Sequence, residues 1–247
     1  MTIVFVHGVP ETAAVWDPLL GVLGRSDVEA VRLPGFGGAA PEGFGASKEQ
    51  YVSWLVTELE RIGSAGPIDV VGHDWGGGLV VRLVSTRPEL VRSWVTDAGA
   101  IGDPGFEWHD FAKIWQTPGE GEEFFAQQLA TPVEESATIF EAYGVPVDRA
   151  RALAGWVDEE MARCILALYR SAVDVGREWG PDFQKIPAPG LILLPSEDPF
   201  LSSDGARSSA ERTGAELHEL PGIGHWWMLQ DPEGAAGVLT NFWASVS

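Results

Sequence analysis

The stretch Ile68-Asp69-Val70-Val71-Gly72-His73-Asp74-Trp75-Gly76-Gly77 decides the fold of this chain. A short run that ends in apolar residues meets a glycine, and a carboxylate and two more glycines follow. This order predicts a strand, a sharp turn and a helix, as in the G-x-S-x-G nucleophile elbow, where larger side chains beside the nucleophile would clash. The central residue here is Asp74, so the pattern predicts a carboxylate nucleophile. The alternative is that Asp74 only caps the helix that follows it.

The composition is that of an ordinary globular protein with an acidic surface. The 247 residues can form one large core, or a core with a modest inserted subdomain. The 36 Asp and Glu residues outnumber the 16 Lys and Arg residues, which gives a net charge of −20. Such a surface repels phosphate backbones and anionic lipids, so we expect neither a nucleic-acid partner nor a membrane partner. It also disfavours strongly anionic substrates.

Cysteine content and apolar runs bear on the compartment. Cys164, the single cysteine, cannot form an internal disulfide and lies in an apolar helical pattern. We interpret it as a core residue in a reducing compartment. No apolar run approaches the length of a membrane span, and the amino terminus has no signal-peptide pattern. The expected location is the cytoplasm.

Strand-like runs alternate with helical patterns along much of the chain. The predicted strands are 2–6, 28–33, 68–71, 91–96, 190–194 and 216–220. Ser47-Lys48-Glu49-Gln50 has the form of a capping box, and apolar residues recur after it at helical spacing. This alternation predicts βαβ units and a mainly parallel sheet. Ligands of such sheets bind beyond the carboxyl ends of the strands, where His7, Asp74 and Asp97 fall.

The pattern changes between residues 102 and 180. No strand pattern is visible there, and several helical stretches rich in Trp, Phe and acidic residues replace it, the clearest at Val157–Val175. We predict a helical lid inserted over the carboxyl edge of the sheet. The core then comprises residues 1–101 and 181–247.

Three residues with complementary chemistry each follow a predicted strand. Asp74 comes first, Asp198 next and His225 last, and nucleophile, acid and histidine in that order are typical of α/β-hydrolases. A carboxylate can displace a leaving group from carbon and form an ester. A histidine, oriented by a second carboxylate, can then activate water against that ester. Asp97 follows another strand and is the alternative acid.

Backbone amides complete the predicted site. In this arrangement the amide after the nucleophile and one from the loop after the first strand form an oxyanion hole, which assigns the N–H groups of Trp75 and Val9. His7 and His73 are interpreted as structural. The sequence holds no metal-ligand cluster and no phosphate-cradling loop, so no metal and no cofactor are expected.

Four segments together resemble the epoxide hydrolase and haloalkane dehalogenase branch of the α/β-hydrolases. They are HGVPETAAVW (7–16), GHDWGG (72–77), LILLPSEDPF (191–200) and GIGHWWM (222–228). Aspartate in the elbow distinguishes this branch from serine esterases and lipases. The resemblance implies an α/β-hydrolase fold with an inserted lid. The chain begins directly at the strand before His7, so the first two strands of the family are not expected and the sheet should be shortened.

The resemblance also assigns roles in the lid. Epoxide hydrolases carry two lid tyrosines that protonate the opened oxygen, and Leu168-Tyr169-Arg170 resembles the segment with the second of them. Phe111 stands at the position of the first, so His109, Trp108 or Tyr143 would compensate, or one tyrosine suffices. In a dehalogenase, indole N–H groups would hold the halide, and Trp75 with Trp108 or Trp115 could supply them.

The sequence thus predicts a hydrolase that opens a small apolar epoxide to a vicinal diol through an ester on Asp74. Tyr169 would protonate the oxygen, and His225 with Asp198 would hydrolyse the ester. Trp108, His109, Phe111 and Trp115 are expected to line the substrate pocket. The alternatives are a haloalkane dehalogenase-like hydrolase, an esterase, or a ligand-binding protein without catalysis on the same fold.

Overall fold

The computed structural model describes residues 2–246, and six strands in it form one sheet. The strands are β1 (Thr2–Val6), β2 (Val28–Val31), β3 (Ile68–Gly72), β4 (Ser93–Thr96), β5 (Gly190–Pro195) and β6 (Glu216–Leu220). Their order across the sheet is β2-β1-β3-β4-β5-β6, and every neighbouring pair is parallel. The predicted α/β fold with a parallel sheet is confirmed.

Helices cover both faces of the sheet. The helices outside the β4–β5 connection are α1 (Asp17–Leu23), α2 (Lys48–Gly63), α3 (Trp75–Thr86), α10 (Ser203–Thr213), α11 (Trp227–Gln230) and α12 (Pro232–Ser245). Alternate residues of a strand point to opposite faces, and β1 follows this rule. Val4 and Val6 join the cluster that contains the apolar side chains of α2 and α3. Ile3 and Phe5 join the cluster that contains those of α1 and α12.

The residues between β4 and β5 form a helical segment, as predicted for 102–180. We call residues 102–180 the β4–β5 segment. Its helices are α4 (Asp110–Gln116), α5 (Glu120–Ala130), α6 (Val133–Ala142), α7 (Val147–Trp156), α8 (Glu159–Ser171) and α9 (Val175–Trp179). The longest of them begins at Glu159, later than predicted, because the Asp158 side chain accepts a hydrogen bond from the Met161 amide and caps α8.

The two ends of the β4–β5 segment lie against each other. A Cβ atom on Gly180 would stand 3.1 Å from the Gly102 carbonyl oxygen. The Arg212 guanidinium of α10 donates to the carbonyl oxygens of Gly102, at 2.5 Å, and Phe183, at 3.0 Å. The segment therefore leaves and rejoins the rest of the chain at one place.

Local signals explain the other element boundaries. The predicted capping box at α2 is present, with Ser47 and Gln50 bonded to each other's backbone amides. The strand predicted at 91–96 begins only at Ser93, and residues 88–90 before it form a 3-10 turn that starts at Pro88. Among residues 2–246, no helix is both long enough and apolar enough to cross a membrane.

Candidate active site

The turn between β3 and α3 is as sharp as the sequence predicts. Asp74 has φ +50° and ψ −122°, a backbone conformation that residues other than glycine rarely adopt. Glycines make the turn possible, because a Cβ atom on Gly72 would lie 2.5 Å from the Gly76 carbonyl oxygen, and one on Gly76 would lie 2.1 Å from the Val6 carbonyl oxygen. Within residues 2–246, the Asp74 side chain makes no capping hydrogen bond to α3. Asp74 is thus not a regular N-cap of α3.

Backbone amides hold the carboxylate of Asp74. The Val9 amide donates to Oδ1 at 2.8 Å. The Trp75 amide, at the start of α3, lies close enough to this carboxylate to favour its charged form. Burial, the largest effect, raises the pKa of Asp74 from 3.8 to about 6. The two amides predicted as an oxyanion hole therefore face an oxygen of Asp74 itself.

His225 lies between Asp74 and Asp198. Its Nδ1 is 2.7 Å from Asp198 Oδ2, and its Nε2 is 3.9 Å from Asp74 Oδ2. Burial favours the neutral imidazole, but the Asp198 carboxylate outweighs it, so the pKa of His225 is raised. The ring nitrogen that faces Asp74 is the one that Asp198 leaves free. The three side chains predicted from strand ends β3, β5 and β6 therefore meet in one place.

Asp97, the alternative acid, contacts the elbow and not His225. Its carboxylate accepts hydrogen bonds from the Asp74 amide at 2.9 Å and from the Trp227 indole N–H at 2.6 Å. Its Oδ2 is also 2.5 Å from Nδ1 of His73. Asp97 is buried, and its bond to the Asp74 amide fixes the backbone of the turn between β3 and α3.

His73 joins Asp97 to a second buried carboxylate, Glu11. The Nε2 atom of His73 lies 3.0 Å from Glu11 Oε1, which also accepts from the Trp226 indole N–H at 2.6 Å. Burial opposes protonation of His73, but the two carboxylates outweigh it and hold its pKa well above the usual value. An imidazolium between two carboxylates thus lies under the site, with its ring 4.6 Å from that of His225.

Two other contacts of buried histidines concern a possible metal site and the loop after β1. Ligand atoms of Glu11, His73 and His225 all lie within 4.8 Å of one another. Both ring nitrogens of His73 are already engaged by carboxylates, so hydrogen bonding accounts for this cluster. His7 braces the loop after β1, because its Nε2 accepts from the Leu33 amide at 3.1 Å.

A cavity of about 460 Å³ opens onto Asp74 and His225. Its inner wall is aromatic, with Phe111, Trp115, Phe125, Tyr169, Phe200 and Trp226. Polar side chains of α5 and α6 and the turn between them line it farther out, among them Gln127, Gln128, Thr131, Glu135 and Thr138. A smaller adjoining cavity also touches Asp74 and is lined by Trp108 and His109. An apolar chamber with a polar outer part suits an apolar small molecule.

Tyr169 is buried in the cavity wall, where its ring packs at 4.8 Å against Trp115 and at 5.5 Å against Trp75. Burial, and secondly the charge of Asp74, raise the pKa of Tyr169 well above its usual value. Tyr169 therefore keeps its proton at neutral pH.

The indole N–H groups of the pocket differ in their partners. Trp108 donates to the Ala172 carbonyl oxygen at 2.9 Å. The N–H groups of Trp75 and Trp115 are buried, and within residues 2–246 neither meets the geometry of a full hydrogen bond, although that of Trp75 interacts with the Tyr169 hydroxyl and counteracts the rise in its pKa.

Comparison with known proteins identifies the family. A model of the alpha/beta hydrolase family matches residues 3–238, nearly the whole chain. The chain belongs to the α/β-hydrolase family. A hydrolase of (E)-2-((N-methylformamido)methylene)succinate from Acinetobacter baylyi is 21% identical over 218 residues, which are 88% of this chain and 77% of that protein.

Solved structures of other α/β-hydrolases share the fold. An inhibitor complex of the Bacillus megaterium epoxide hydrolase has a TM-score of 0.80 at 17% identity, covering 98% of this chain and 93% of that one. The haloalkane dehalogenase DbeA of Bradyrhizobium elkani has a TM-score of 0.75 at 20% identity, covering 99% and 91%. The structural neighbours thus belong to the branch that the motifs resemble, and this α/β-hydrolase is a hydrolase by family.

Most side chains of this α/β-hydrolase site could be predicted from the sequence, but the hydrogen-bond network of Glu11 and His73 could not. Phe111, Trp115 and His109 line the main cavity as expected, whereas Trp108 lines the smaller one. The sequence pattern assigns no role to Glu11 and predicts only a structural role for His73. The available signal was the acidic side chain in HGVPE, directly after a buried strand end, where a charge needs a partner.

Proposed function

We propose that this α/β-hydrolase is an epoxide hydrolase that converts apolar epoxides to vicinal diols through an ester on Asp74. The observation that carries the proposal is the position of Asp74, whose carboxylate lies at the base of an aromatic cavity with the Val9 amide on Oδ1 and His225 facing Oδ2. A carboxylate so held is aimed at a carbon atom in the cavity. The protonated Tyr169 in the same wall supplies the acid that ring opening requires.

In the first step, an oxygen of Asp74 attacks an epoxide carbon. The C–O bond of the ring breaks, and its electron pair goes to the epoxide oxygen. Tyr169 gives its phenolic proton to that oxygen, which leaves a hydroxyl on the substrate and a phenolate on the enzyme. The amides of Val9 and Trp75 hold the remaining carboxyl oxygen of Asp74.

In the second step, His225 takes a proton from water, and the hydroxide attacks the carboxyl carbon of Asp74. The Val9 and Trp75 amides stabilise the tetrahedral intermediate. Its collapse releases the diol, which takes its proton from His225, and leaves Asp74 protonated. The carboxyl proton of Asp74 returns to the Tyr169 phenolate, so the cycle closes with one epoxide and one water consumed. Asp198 orients His225 and stabilises its cationic form.

We propose further that the β4–β5 segment is the lid of this enzyme and that residues 1–101 and 181–247 are its core. Helices α4, α5, α6 and α8 supply most of the cavity wall opposite the nucleophile, including Phe111, Trp115, Phe125 and Tyr169. The core supplies Asp74, Asp198 and His225. On this division the core determines the chemistry and the lid determines the substrate.

The test is to trap the ester. His225→Gln is incubated with a panel of neutral aryl and alkyl epoxides, and intact-protein and peptide mass spectra are recorded. We expect a covalent adduct on the peptide that contains Asp74, and no adduct in Asp74→Asn/His225→Gln. Wild-type enzyme in a single turnover in water enriched in heavy oxygen should place the label in Asp74. Absence of both the adduct and the label with every epoxide would refute the mechanism.

Haloalkane dehalogenation is the second candidate, and the indole N–H groups of Trp75 and Trp115 favour it, because they could bind a leaving halide. A halide leaves without a proton, so Tyr169→Phe should then leave turnover unchanged. Epoxide hydrolysis instead predicts a loss of about 10²-fold or more in ester formation for Tyr169→Phe. Halide release from bromoalkanes, compared with diol formation from epoxides of the same carbon skeleton, decides between the two.

A further inference from the structure

Helices α5 and α6 and the turn between them form the outer wall of the main cavity, where it opens to solvent. Of the side chains that line the cavity there, Gln127 and Glu135 are exposed and Gln128 is half-buried. Asp74 lines the same cavity from the end of β3. A substrate that fills the cavity and places its epoxide at Asp74 therefore extends its other end to α5 and α6.

Three side chains of this wall have hydrogen-bonding groups without a partner in the protein. Within residues 2–246, the side chains of Gln128, Glu135 and Ser136 make no hydrogen bond and no ion pair, whereas the hydroxyls of Thr131 and Thr138 donate to carbonyl oxygens one turn earlier. Ser136 is the most informative of the three, because it is only 8% exposed and lines the cavity. A buried hydroxyl without a partner is unfavourable, and a ligand in the cavity can supply that partner.

The electric charge of this wall has one sign. Residues 120–142 contain six Glu residues and neither Lys nor Arg. Of the described residues that line the main cavity, none is Lys or Arg, and Glu135 is the carboxylate that accompanies Asp74. The wall therefore attracts a cation and repels an anion.

The rest of the cavity is mainly apolar. Buried aromatic rings line it, among them those of Phe125, Phe140 and Trp226. A charged group held against these rings alone would lose its water without gaining a hydrogen-bond acceptor, so this part suits an alkyl or aryl group. A molecule that matches all parts of the cavity has an epoxide at one end, an apolar spacer, and a positively charged donor at the other end.

We propose that Gln128, Glu135 and Ser136 form a subsite for a protonated amine, and that the substrate is an epoxide joined to this amine by an apolar spacer. The inference names the substrate class of the proposed epoxide hydrolase and rests on that function. An aliphatic amine is protonated at neutral pH. Its N–H groups donate to the Ser136 hydroxyl oxygen and the Gln128 amide oxygen, and the Glu135 carboxylate balances its charge.

The test compares three terminal epoxides with the same alkyl chain, which end in an ammonium, a hydroxyl or a methyl group. Diol formation gives kcat/KM for each, and the amine preference is the value for the ammonium epoxide divided by that for the methyl epoxide. Wild-type enzyme should show an amine preference of about tenfold at roughly 150 mM salt, from hydrogen bonding and one exposed ion pair. The hydroxyl epoxide should fall between the other two, because it can donate but carries no charge.

Two substitutions of neighbouring glutamates separate the subsite from the overall charge. Glu135→Gln should lower the amine preference about three- to fivefold, the effect of losing one exposed ion pair. Glu134→Gln is the matched control, because it removes the same charge from an exposed residue that does not line the cavity. The control should change the amine preference by less than about 1.5-fold, since its charge is farther from the ligand and is screened by salt.

Ser136→Ala tests the buried hydroxyl without changing the charge. It should lower kcat/KM for the ammonium and hydroxyl epoxides about threefold relative to the methyl epoxide. The urea concentration at the midpoint of unfolding should equal or exceed that of the wild type, because the substitution removes a buried hydroxyl that has no partner in the protein. A hydroxyl that served only the fold would give the reverse, a loss of stability with unchanged ratios between the substrates.

Four outcomes would overturn this inference. The first is equal kcat/KM for the ammonium and methyl epoxides, and the second is equal kcat/KM for the ammonium and hydroxyl epoxides, which would make the subsite one for neutral donors. The third is an equal effect of Glu135→Gln and Glu134→Gln, which would assign the preference to the overall field. In these three cases epoxides are still hydrolysed, so the proposed function stands. The fourth is no diol from any epoxide and no label in Asp74, in which case the proposed function fails and this inference with it.

Discussion

Asp74 combines two unfavourable conditions, a positive φ and a carboxylate removed from water. Its side chain is only 18% exposed, and burial raises its pKa from 3.8 to about 6. A pKa difference of this size between the unfolded and folded states corresponds to a loss of about 3 kcal/mol in folding stability when the carboxylate is charged. The proposed function therefore requires a charge that the fold itself disfavours, a common trade between activity and stability.

Replacing Asp74 by Asn should abolish turnover and stabilise the protein. Asparagine keeps an acceptor for the Val9 amide and tolerates positive φ, but it carries no charge. The folded-state pKa lies above the unfolded one, so the charge becomes destabilising as pH rises from about 4 and is fully so above about 6. Urea unfolding of both proteins at pH 5, 6 and 7.5 should show a stability gap that widens toward about 3 kcal/mol. A gap that is constant with pH would contradict this origin.

Asp198 and Asp97 should give opposite results when each is changed to Asn. Asp198→Asn removes the carboxylate that orients His225, so ester hydrolysis should fall by about 10²-fold or more and the alkyl-enzyme should accumulate. Asp97→Asn leaves the buried His73 imidazolium with Glu11 alone, so it should cost about 3 kcal/mol of stability without trapping an ester. Mass spectrometry after mixing with epoxide and urea unfolding of each variant measure the two effects. An ester trapped by the Asp97 variant would make that residue the acid.

Much of the site could be predicted because strand ends fix it. Asp74, Asp198 and His225 each follow a strand of a parallel sheet, and such ends share one edge. Glu11 and His73 could not be assigned in the same way. Their role depends on how far each side chain is buried and on which groups from distant elements, such as Trp226, approach them.

At the scale of elements, one lysine joins helix α2 to helices α8 and α9 of the β4–β5 segment. Lys48 Nζ donates to the Ser171 carbonyl oxygen at 2.6 Å and lies 2.8 Å from Glu178 Oε2. The Lys48 amide also donates to Ser171 Oγ at 2.8 Å. The Lys48 side chain is only 5% exposed, whereas that of Glu178 is 51% exposed, so the contacts with Ser171 are the ones shielded from water.

Lys48→Met should loosen this junction. Methionine keeps the apolar stem but leaves the Ser171 carbonyl without its charged donor, and we expect a loss of about 2 kcal/mol in the free energy of unfolding. Lys113→Met is the matched control, because Lys113 and its partner Asp110 are 60% and 97% exposed and 3.4 Å apart. The control should cost less than about 0.5 kcal/mol. Equal losses in the two variants, measured by urea unfolding, would contradict a special role for Lys48.

The elements themselves were predictable where local signals are strong. The capping box at Ser47 lies where the sequence predicts it. The six strands were all predicted, although β2 ends at Val31 and not at Leu33. The order of strands and the packing of α4–α9 could not be predicted in detail, because they depend on contacts between residues far apart in the chain.

At the scale of the whole molecule, the net charge of −20 acts on every ligand that approaches. Glu135 places one of these charges beside the outer part of the cavity. A field of this sign repels anions at low ionic strength and is screened by salt.

An epoxide that carries a carboxylate should therefore be a poorer substrate than a neutral amide of the same shape. We expect kcat/KM to differ by about tenfold at roughly 20 mM salt and the difference to shrink at roughly 500 mM salt. A trimethylammonium analogue provides the control of opposite sign, with a difference in the other direction. A preference for the neutral substrate that does not change with salt would assign the effect to local contacts in the cavity.

The junction at which Arg212 holds the chain near Gly102 and Phe183 bears on how such enzymes diversify. Because both ends of the 102–180 stretch are already together, exchanging it for a longer or shorter one adds little closure entropy to the remainder. Exchanging residues 102–180 can thus change the substrate specificity while Asp74, Asp198 and His225 stay unchanged. The two ends of this segment are therefore suitable boundaries for such an exchange, in evolution or in protein engineering.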